Sequence, residues 1–332
     1  MEDIPKTQKS AWVTSRKQVG KVTEVPLAQP KKNQVLVKIA YAPVNPSDVG
    51  TLENWYPVQA KPPHSVGFEG SGIIVAVGEN LKVPHKVGDR VHVIGLGTWS
   101  EYIVVPSELC SKIREGISLE QAACHYVNPG TVIYMAKLVE RGGHKCAIHT
   151  AGASSLGKMM IKYFKEKGIK LISIVRREEY VQELLKEGAD FVLNSEAPDF
   201  VSQFRTLAAK EKATICFEAI AGDFTGKILR AMPSSSIIYV YGALSGKNVG
   251  NITVNDLAFM DKKVSGLWLQ TYFKEVVTQG KTSEFFNEIH SRLNTVFKSS
   301  IQKVYTLEDL EAAIAYYKEN SSKGKILITP KL

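Results

Sequence analysis

Val35, Val37 and Ile39 alternate with Leu36, Lys38 and Ala40. A period of two predicts a strand with one strongly apolar face. Residues 70–77 and 90–94 predict further strands, and Gly/Pro punctuation makes roughly the first 120 residues a region of strands and turns. Pro43, Pro46, Pro57, Pro62 and Pro63 crowd the stretch in between, which predicts a long irregular loop. Loops of that kind inside a compact domain tend to be functional.

From about residue 123 the rhythm becomes strand, helix, strand. Residues 146–149 predict a strand, 156–167 a helix, 170–175 a strand, 181–187 a helix and 191–193 a strand. A helix over 200–210 and strands over 214–217 and 237–240 follow, and 263–269 could supply a last strand. The chain closes with a predicted helix over 307–317 and a strand over 325–328. Repeated strand–helix units imply a parallel sheet with helices on both faces, so the fold class is α/β. Neither an internal repeat nor a low-complexity tract interrupts the pattern.

One strand-to-helix junction carries candidate chemistry. The run Ile148-His149-Thr150-Ala151-Gly152-Ala153-Ser154-Ser155-Leu156-Gly157 offers a small-residue turn through which backbone N–H groups and a helix N-terminus can approach a pyrophosphate. Ser154 and Ser155 stand where a stricter motif has glycine, so this turn alone is a weak signal. The next strand sharpens it. An NAD site places Asp or Glu about twenty residues on, for the ribose diol. Here the strand ends in Val175-Arg176-Arg177, and guanidinium groups suit a 2′-phosphate. The cofactor expected is NADPH.

Composition narrows the picture further. With 332 residues, 44% apolar and 23% charged, the chain has room for two folded domains or one larger one. No apolar run reaches the ~18 residues of a membrane span. The acidic, polar start Met1-Glu2-Asp3-Ile4-Pro5 matches neither a secretory signal nor a transit peptide. A cytoplasmic protein is expected, or a mitochondrial-matrix one whose presequence is missing from this chain. Cys110, Cys124, Cys146 and Cys216 have no paired spacing, which argues for reduced thiols over a zinc or disulfide framework. The formal charge of +9 is spread along the chain beside acids, as in Lys165-Glu166-Lys167 and Lys210-Glu211-Lys212. Such alternation reads as solvated helix faces and favours anionic ligands over nucleic acid.

The run Gly67-Phe68-Glu69-Gly70-Ser71-Gly72, with Val75-Ala76-Val77-Gly78 and Val87-Gly88-Asp89-Arg90-Val91, resembles the medium-chain dehydrogenase/reductase superfamily. Zinc alcohol dehydrogenases of that superfamily carry Gly-His-Glu at the first of these places and their first zinc ligand, a cysteine, in the segment that matches Asn45-Pro46-Ser47-Asp48. Here Phe68 replaces the histidine, and Asn45-Pro46-Ser47-Asp48 holds no cysteine, so no metal is expected. His64 and His85, each beside a proline, read as surface or loop residues.

Within the zinc-free branch, Val44-Asn45-Pro46-Ser47-Asp48, Gly95-Leu96-Gly97-Thr98-Trp99 and Val127-Asn128-Pro129-Gly130-Thr131 are similar to the 2-enoyl thioester reductases of mitochondrial fatty-acid synthesis. So are Tyr241-Gly242-Ala243-Leu244 and Gly266-Leu267-Trp268-Leu269. Asn-Pro-Ser-Asp is shared with quinone oxidoreductases. The resemblance implies a GroES-like β-rich catalytic domain (residues 1–122 and 271–332) plus a Rossmann doubly wound parallel sheet (residues 123–270), with NADPH in the cleft between them. In those enzymes a catalytic tyrosine sits in a Gly-x-Tyr-Pro or Gly-x-Tyr-Gly segment. The matching Asn54-Trp55-Tyr56-Pro57 assigns that role to Tyr56. By the same resemblance Asn45, Asn128 and Thr131 lie near the nicotinamide, and Ala153, Ser154, Ser155 and Leu156 touch the pyrophosphate. Arg176 and Arg177 take the adenosine phosphate. Tyr241, Gly242, Ala243 and Leu244, with Leu267, Trp268 and Leu269, hold the nicotinamide ribose and ring, and Lys325 matches a cofactor-contacting lysine approximately.

The function expected is NADPH-dependent reduction of an activated C=C bond in a 2-enoyl thioester, carried by CoA or an acyl carrier protein, in a homodimer. The nearest rival is an NADPH:quinone oxidoreductase. A reading of another class is an NADPH-binding protein that serves in nucleic-acid binding or structure without catalysis. Only the basic charge supports it, and no aromatic-interleaved basic patch accompanies that charge.

Overall fold

The computed structural model describes residues 4–58 and 60–330. The chain divides into two compact units, Met1–Val127 with Asn287–Leu332, and Asn128–Phe286.

The first unit is built mostly from strands. In chain order these are β1 (Thr7–Val13), β2 (Lys21–Pro26), β3 (Gln34–Pro43), β4 (His64–Ser65), β5 (Glu69–Val77), β6 (Arg90–Ile94), β7 (Tyr102–Pro106) and β8 (Cys110–Lys112). Between β3 and β4 lies helix α1 (Pro46–Leu52), and α2 (Leu119–Ala123) follows β8. The second unit contains α3 (Val127–Arg141), which begins at the last residue of the first, then β9 (Cys146–His149), α4 (Ser155–Glu166) and β10 (Lys170–Val175). It continues with α5 (Glu179–Lys186), β11 (Phe191–Asn194), α6 (Phe200–Lys210), β12 (Ala213–Glu218), α7 (Asp223–Ala231), β13 (Ile237–Val240), β14 (Lys263–Gly266) and α8 (Leu269–Thr278). Helix α9 (Thr282–His290) straddles the boundary, and β15 (Ile301–Thr306), α10 (Leu310–Asn320) and β16 (Lys325–Thr329) complete the first unit.

In that unit a large sheet runs β15-β16-β3-β5-β6-β8, with β7 also on β3, and a small one runs β2-β1-β4. The C-terminal strand thus returns to the sheet: Leu327 faces Pro43 and Ile328 faces Ala42 across an antiparallel pair. The alternation read at Val35, Val37 and Ile39 feeds one core, with Ile74, Val91, Val93, Ile103 and Val105. A second core gathers Val44, Val49, Leu52, Trp99, Leu310 and Ile326 around the segment after β3.

The proline-rich stretch is not wholly irregular, as the sequence had suggested. It contains α1 and the short strand β4. Proline at the first helical position loses nothing, because that N–H has no partner inside a helix. Pro46 sits in the first turn, Asn45 precedes it in extended conformation, and Asp48 Oδ2 accepts the Asn45 N–H at 2.8 Å. Proline density therefore marks a helix start here as well as a loop. Near the ends, the strand expected over 263–269 stops at Gly266, since Leu269 opens α8, and the helix expected from 307 begins at Leu310 after a Thr306–Asp309 turn.

The second unit holds one parallel sheet in the order β11-β10-β9-β12-β13-β14. Its first strand, β9, lies third across, so connections leave to opposite sides of β9 and β12. That is a topological switch point, where the carboxyl ends of strands open a crevice for ligands. Phe200, Phe204, Ile228 and Leu229 pack against Ile148, Ile172 and Ile238 of the sheet.

Trp99 is fully buried, and its Nε1 donates to the carbonyl of Pro43 at 3.1 Å, just before Asn45. Trp99→Phe keeps most of the packing but leaves that carbonyl without its donor. We expect thermal unfolding to report a loss of roughly 1–3 kcal/mol. An unchanged unfolding midpoint would show that the indole bond contributes nothing.

Candidate functional site

Four of the sequence candidates or their neighbours come together in the first unit. Lys325, at the start of β16, is buried, and its ammonium donates to Asn45 Oδ1. Asn45 Nδ2 donates to Glu69 Oε1 at 2.9 Å. The other Glu69 oxygen accepts the backbone N–H groups of Tyr126 (2.7 Å) and Val127 (3.2 Å). Asp48, also fully buried, accepts N–H from Asn45 and, at 3.1 Å, from Phe68. One ammonium and two carboxylates are thus enclosed together. Unpaired buried charge is costly, and a carboxyl group escapes the cost by holding a proton. Burial raises Asp48 to about 7, against the opposing pull of the Asn45 N–H. Burial raises Glu69 too, against the attraction of Lys325.

Tyr56 lies in the same unit, half-buried on the segment after α1. Its N–H donates to the Gly50 carbonyl at 3.0 Å, and its ring lies 5.7 Å from that of Phe68. Asn54 stands where the resembled segment has glycine. It is left-handed, with φ 66°, a conformation that asparagine tolerates better than other side chains, and its amide donates to the Gln18 carbonyl at 2.6 Å. A Cβ on Gly50 would come within 2.7 Å of the exposed Trp55 ring, which would have to move to admit it. The chain therefore turns at Asn54 and presents Tyr56 beside Phe68.

In the second unit the candidate nucleotide residues fall at strand carboxyl ends. The turn after β9 contains Ala151 in left-handed conformation (φ 57°). A Cβ on Gly157 would lie 2.2 Å from the Gly152 carbonyl oxygen, so helix α4 can start this close to the turn only with glycine there. Ser154 caps α4, its oxygen accepting the Gly157 N–H at 3.1 Å. Ala153 and Leu156 are buried, while Ser154 and Ser155 are partly exposed. Arg176 and Arg177 follow β10 and are both exposed, Arg177 pairing with Glu179 at 3.2 Å. Tyr241 and Gly242 follow β13 half-buried, and Ala243 and Leu244 are exposed. Leu267 and Leu269 are buried with Trp268 between them, and Asn128 and Thr131 are buried in the first turns of α3.

Some organising residues carried no role in the sequence reading. Glu218, at the end of β12, accepts N–H from Ile220 (2.6 Å) and Ala221 (2.8 Å) and the Thr225 hydroxyl (3.0 Å). It thereby holds a turn in which Ala221 and Gly222 are both left-handed. His149 Nε2 pairs with the Tyr241 hydroxyl at 2.7 Å, and burial lowers this histidine to about 3, so it is neutral. No local spacing marks either residue, because their partners are distant in sequence. His64 is not a surface or loop histidine, being buried in β4 against the Ser65 carbonyl, whereas His85 lies in the loop between β5 and β6 with its Nε2 3.1 Å from the Ser107 carbonyl. All four cysteines are buried thiols, and burial pushes Cys110 and Cys124 up to about 12.

Two family models match the chain: the alcohol dehydrogenase GroES-like domain over residues 31–115 and the zinc-binding dehydrogenase over residues 155–282. Mitochondrial enoyl-[acyl-carrier-protein] reductases from Caenorhabditis elegans and Arabidopsis thaliana are 30% and 28% identical. The alignments cover 79% and 80% of this chain and 76% and 71% of those proteins. A solved structure from Mesorhizobium loti, which carries the provisional name NADPH:quinone reductase, superposes with a TM-score of 0.87 at 30% identity, covering 99% of this chain and all of that one. The zinc implied by the second family name does not fit the residues around Asn45 and Phe68. Both ends of the Asn45 amide are occupied, Phe68 offers no donor, and the Lys325 ammonium lies against Asn45.

Asp48 gives a test of this buried arrangement. A carboxyl raised from 3.8 to about 7 on folding stabilises the native state at low pH, and that contribution is lost as pH rises through about 7. Between about pH 5 and pH 8 the wild type should lose on the order of 2 kcal/mol more than Asp48→Asn in denaturant titrations. Parallel profiles for the two proteins would show that Asp48 stays ionised. With its Rossmann sheet, GroES-like unit and whole-length relatives, the chain belongs to the medium-chain dehydrogenase/reductase family of oxidoreductases.

Proposed function

We propose that this protein is an NADPH-dependent reductase of activated C=C bonds whose substrate is a 2-enoyl thioester. The observation that carries the reading is Tyr56, a half-buried phenol held by Asn54, Gly50 and Phe68 beside a cluster in which Asn45 and Phe68 offer no metal ligand. Reduction of a carbonyl in the zinc enzymes relies on a metal to polarise oxygen. A conjugated thioester needs only a hydrogen-bond donor at its carbonyl oxygen, where charge develops, and a proton for the α-carbon.

NADPH, when bound, supplies the hydride to the β-carbon. The α4 N-terminus and the turn at Gly152 fit a pyrophosphate, and Gly157, whose Cβ would meet the Gly152 carbonyl, lets the helix start close to that turn. Arg176 and Arg177, exposed at the end of β10 with no carboxylate in the diol-binding position, fit a 2′-phosphate. Tyr241, Gly242, Ala243 and Leu244 follow the end of β13, Leu267, Trp268 and Leu269 follow the end of β14, and Asn128 and Thr131 lie in the first turns of α3. The Tyr56 hydroxyl hydrogen-bonds to the enolate oxygen and passes a proton toward the α-carbon. Lys325 and Asn45 hold Glu69 and the segment before Tyr126 in place. An NADPH:quinone oxidoreductase is the second reading, supported by the likeness to the Mesorhizobium loti structure of that provisional name.

Replacing Arg176 and Arg177 by Ala should weaken NADPH far more than NADH, since charge-assisted contacts contribute about 1.5–3 kcal/mol each. Fluorescence titration with both cofactors measures it, and equal wild-type affinities would refute the assignment. Tyr56→Phe keeps the ring against Phe68 and removes the hydroxyl. Enoyl reduction should fall about 10²–10⁴-fold with NADPH affinity and unfolding midpoint nearly unchanged. Full enoyl reductase activity in this variant would remove Tyr56 from the mechanism.

A further inference from the structure

His92 of β6, His125 just after α2, and His290 at the end of α9 meet in the interior of the first unit, all three buried. One ring nitrogen from each lies within 4.8 Å of the other two. The His92 ring is 4.0 Å from that of His290 and 4.6 Å from that of His125, centroid to centroid. His92 Nδ1 lies 2.9 Å from the Ala122 carbonyl, which can only accept, so Nδ1 carries the proton and Nε2 presents a lone pair. That Nε2 is buried and has no hydrogen-bond partner among the described residues. His125 is also bonded to the Ala122 backbone. A ring whose far nitrogen donates to a carbonyl has the arrangement typical of a metal-ligating histidine, with tautomer and orientation fixed from behind.

We infer that His92, His125 and His290 form a structural binding site for a divalent transition-metal ion of the Zn²⁺ class. The ligand set is nitrogen only. Imidazole suits zinc, copper, nickel and cobalt, whereas calcium and magnesium need oxygen ligands. Arg90 and Arg114 add positive potential near the cluster, so the fourth coordination position is taken by a hydroxide or another small anion that offsets the charge. Zn–N bonds of about 2.0–2.1 Å require the three nitrogens to draw in. The His92 and His290 planes lie within 11° of parallel, and an ion cannot sit in both planes, so one ring turns as the ion binds. His125 directly precedes Tyr126 and Val127, whose N–H groups hold Glu69. The ion would therefore brace the segment that carries the Tyr126 and Val127 N–H groups. Spacings of 33 and 165 residues hide the set from any sequence motif, which is why no metal was expected from sequence.

The test uses the untagged full chain stripped with a chelator and titrated with Co²⁺, then Zn²⁺. Saturable visible absorption of low-coordinate Co²⁺ at one equivalent per chain, displaced by Zn²⁺, together with an unfolding midpoint raised by several degrees, is the expected result. His92→Gln, which can still donate to Ala122, should weaken Co²⁺ at least tenfold, while the same change at the distant His144 should have no effect. X-ray absorption of the Zn²⁺-loaded wild type should show an imidazole shell without sulfur, and this decides the matter if His92→Gln does not fold. No saturable absorption in the wild type, a sulfur-containing shell, or unchanged affinity in folded His92→Gln overturns the assignment.

Discussion

The first unit is organised around a buried ammonium. Lys325 enters from the C-terminal strand and meets Asn45, which passes the connection to Glu69. Removing a lysine charge from water is favourable only with compensating partners, and here the partners come from elements far apart in sequence. Pairing of β16 with β3 brings Lys325 to Asn45, while β5 supplies Glu69 and α1 supplies Asp48. Sheet closure and the polar cluster thus depend on each other.

The second unit meets a different constraint, the close approach of a helix start to the turn before it. Contact between Gly157 and the Gly152 carbonyl sets how near α4 can start to the end of β9. Ser154 belongs to this economy as well: its oxygen satisfies an N–H that would otherwise be free at the helix start. Serines in place of a glycine pair therefore cap the helix without closing the turn. Glu218 performs the matching task on the other side of the switch point, fixing the loop after β12 through three donors.

Most of the architecture was legible because it rests on local periodicity. The strands and helices from Cys146 to Val240 follow from apolar patterning, and the candidate nucleotide residues follow from their places at strand ends. Helix α1 was hidden by its prolines, whose first member is compatible with a helix start. What could not be read was long-range: the Lys325–Asn45–Glu69 chain, the His149–Tyr241 pair, and the three histidines of the interior. Each joins residues that only tertiary folding brings together. Asn54 illustrates the middle case, since its departure from glycine is visible in the sequence but its left-handed backbone is needed to explain why asparagine serves.

The central claim is that a conjugated thioester is reduced without a metal at Asn45 and Phe68. It is tested most directly by steady-state rates of chelator-treated protein with NADPH and, in turn, crotonyl-CoA, a longer enoyl-CoA and a quinone. The account predicts that kcat/KM for an enoyl-CoA exceeds that for the quinone by about tenfold or more and survives the chelator. Quinone reduction with no measurable enoyl-CoA turnover, or enoyl reduction abolished by chelation and restored by zinc, would contradict it.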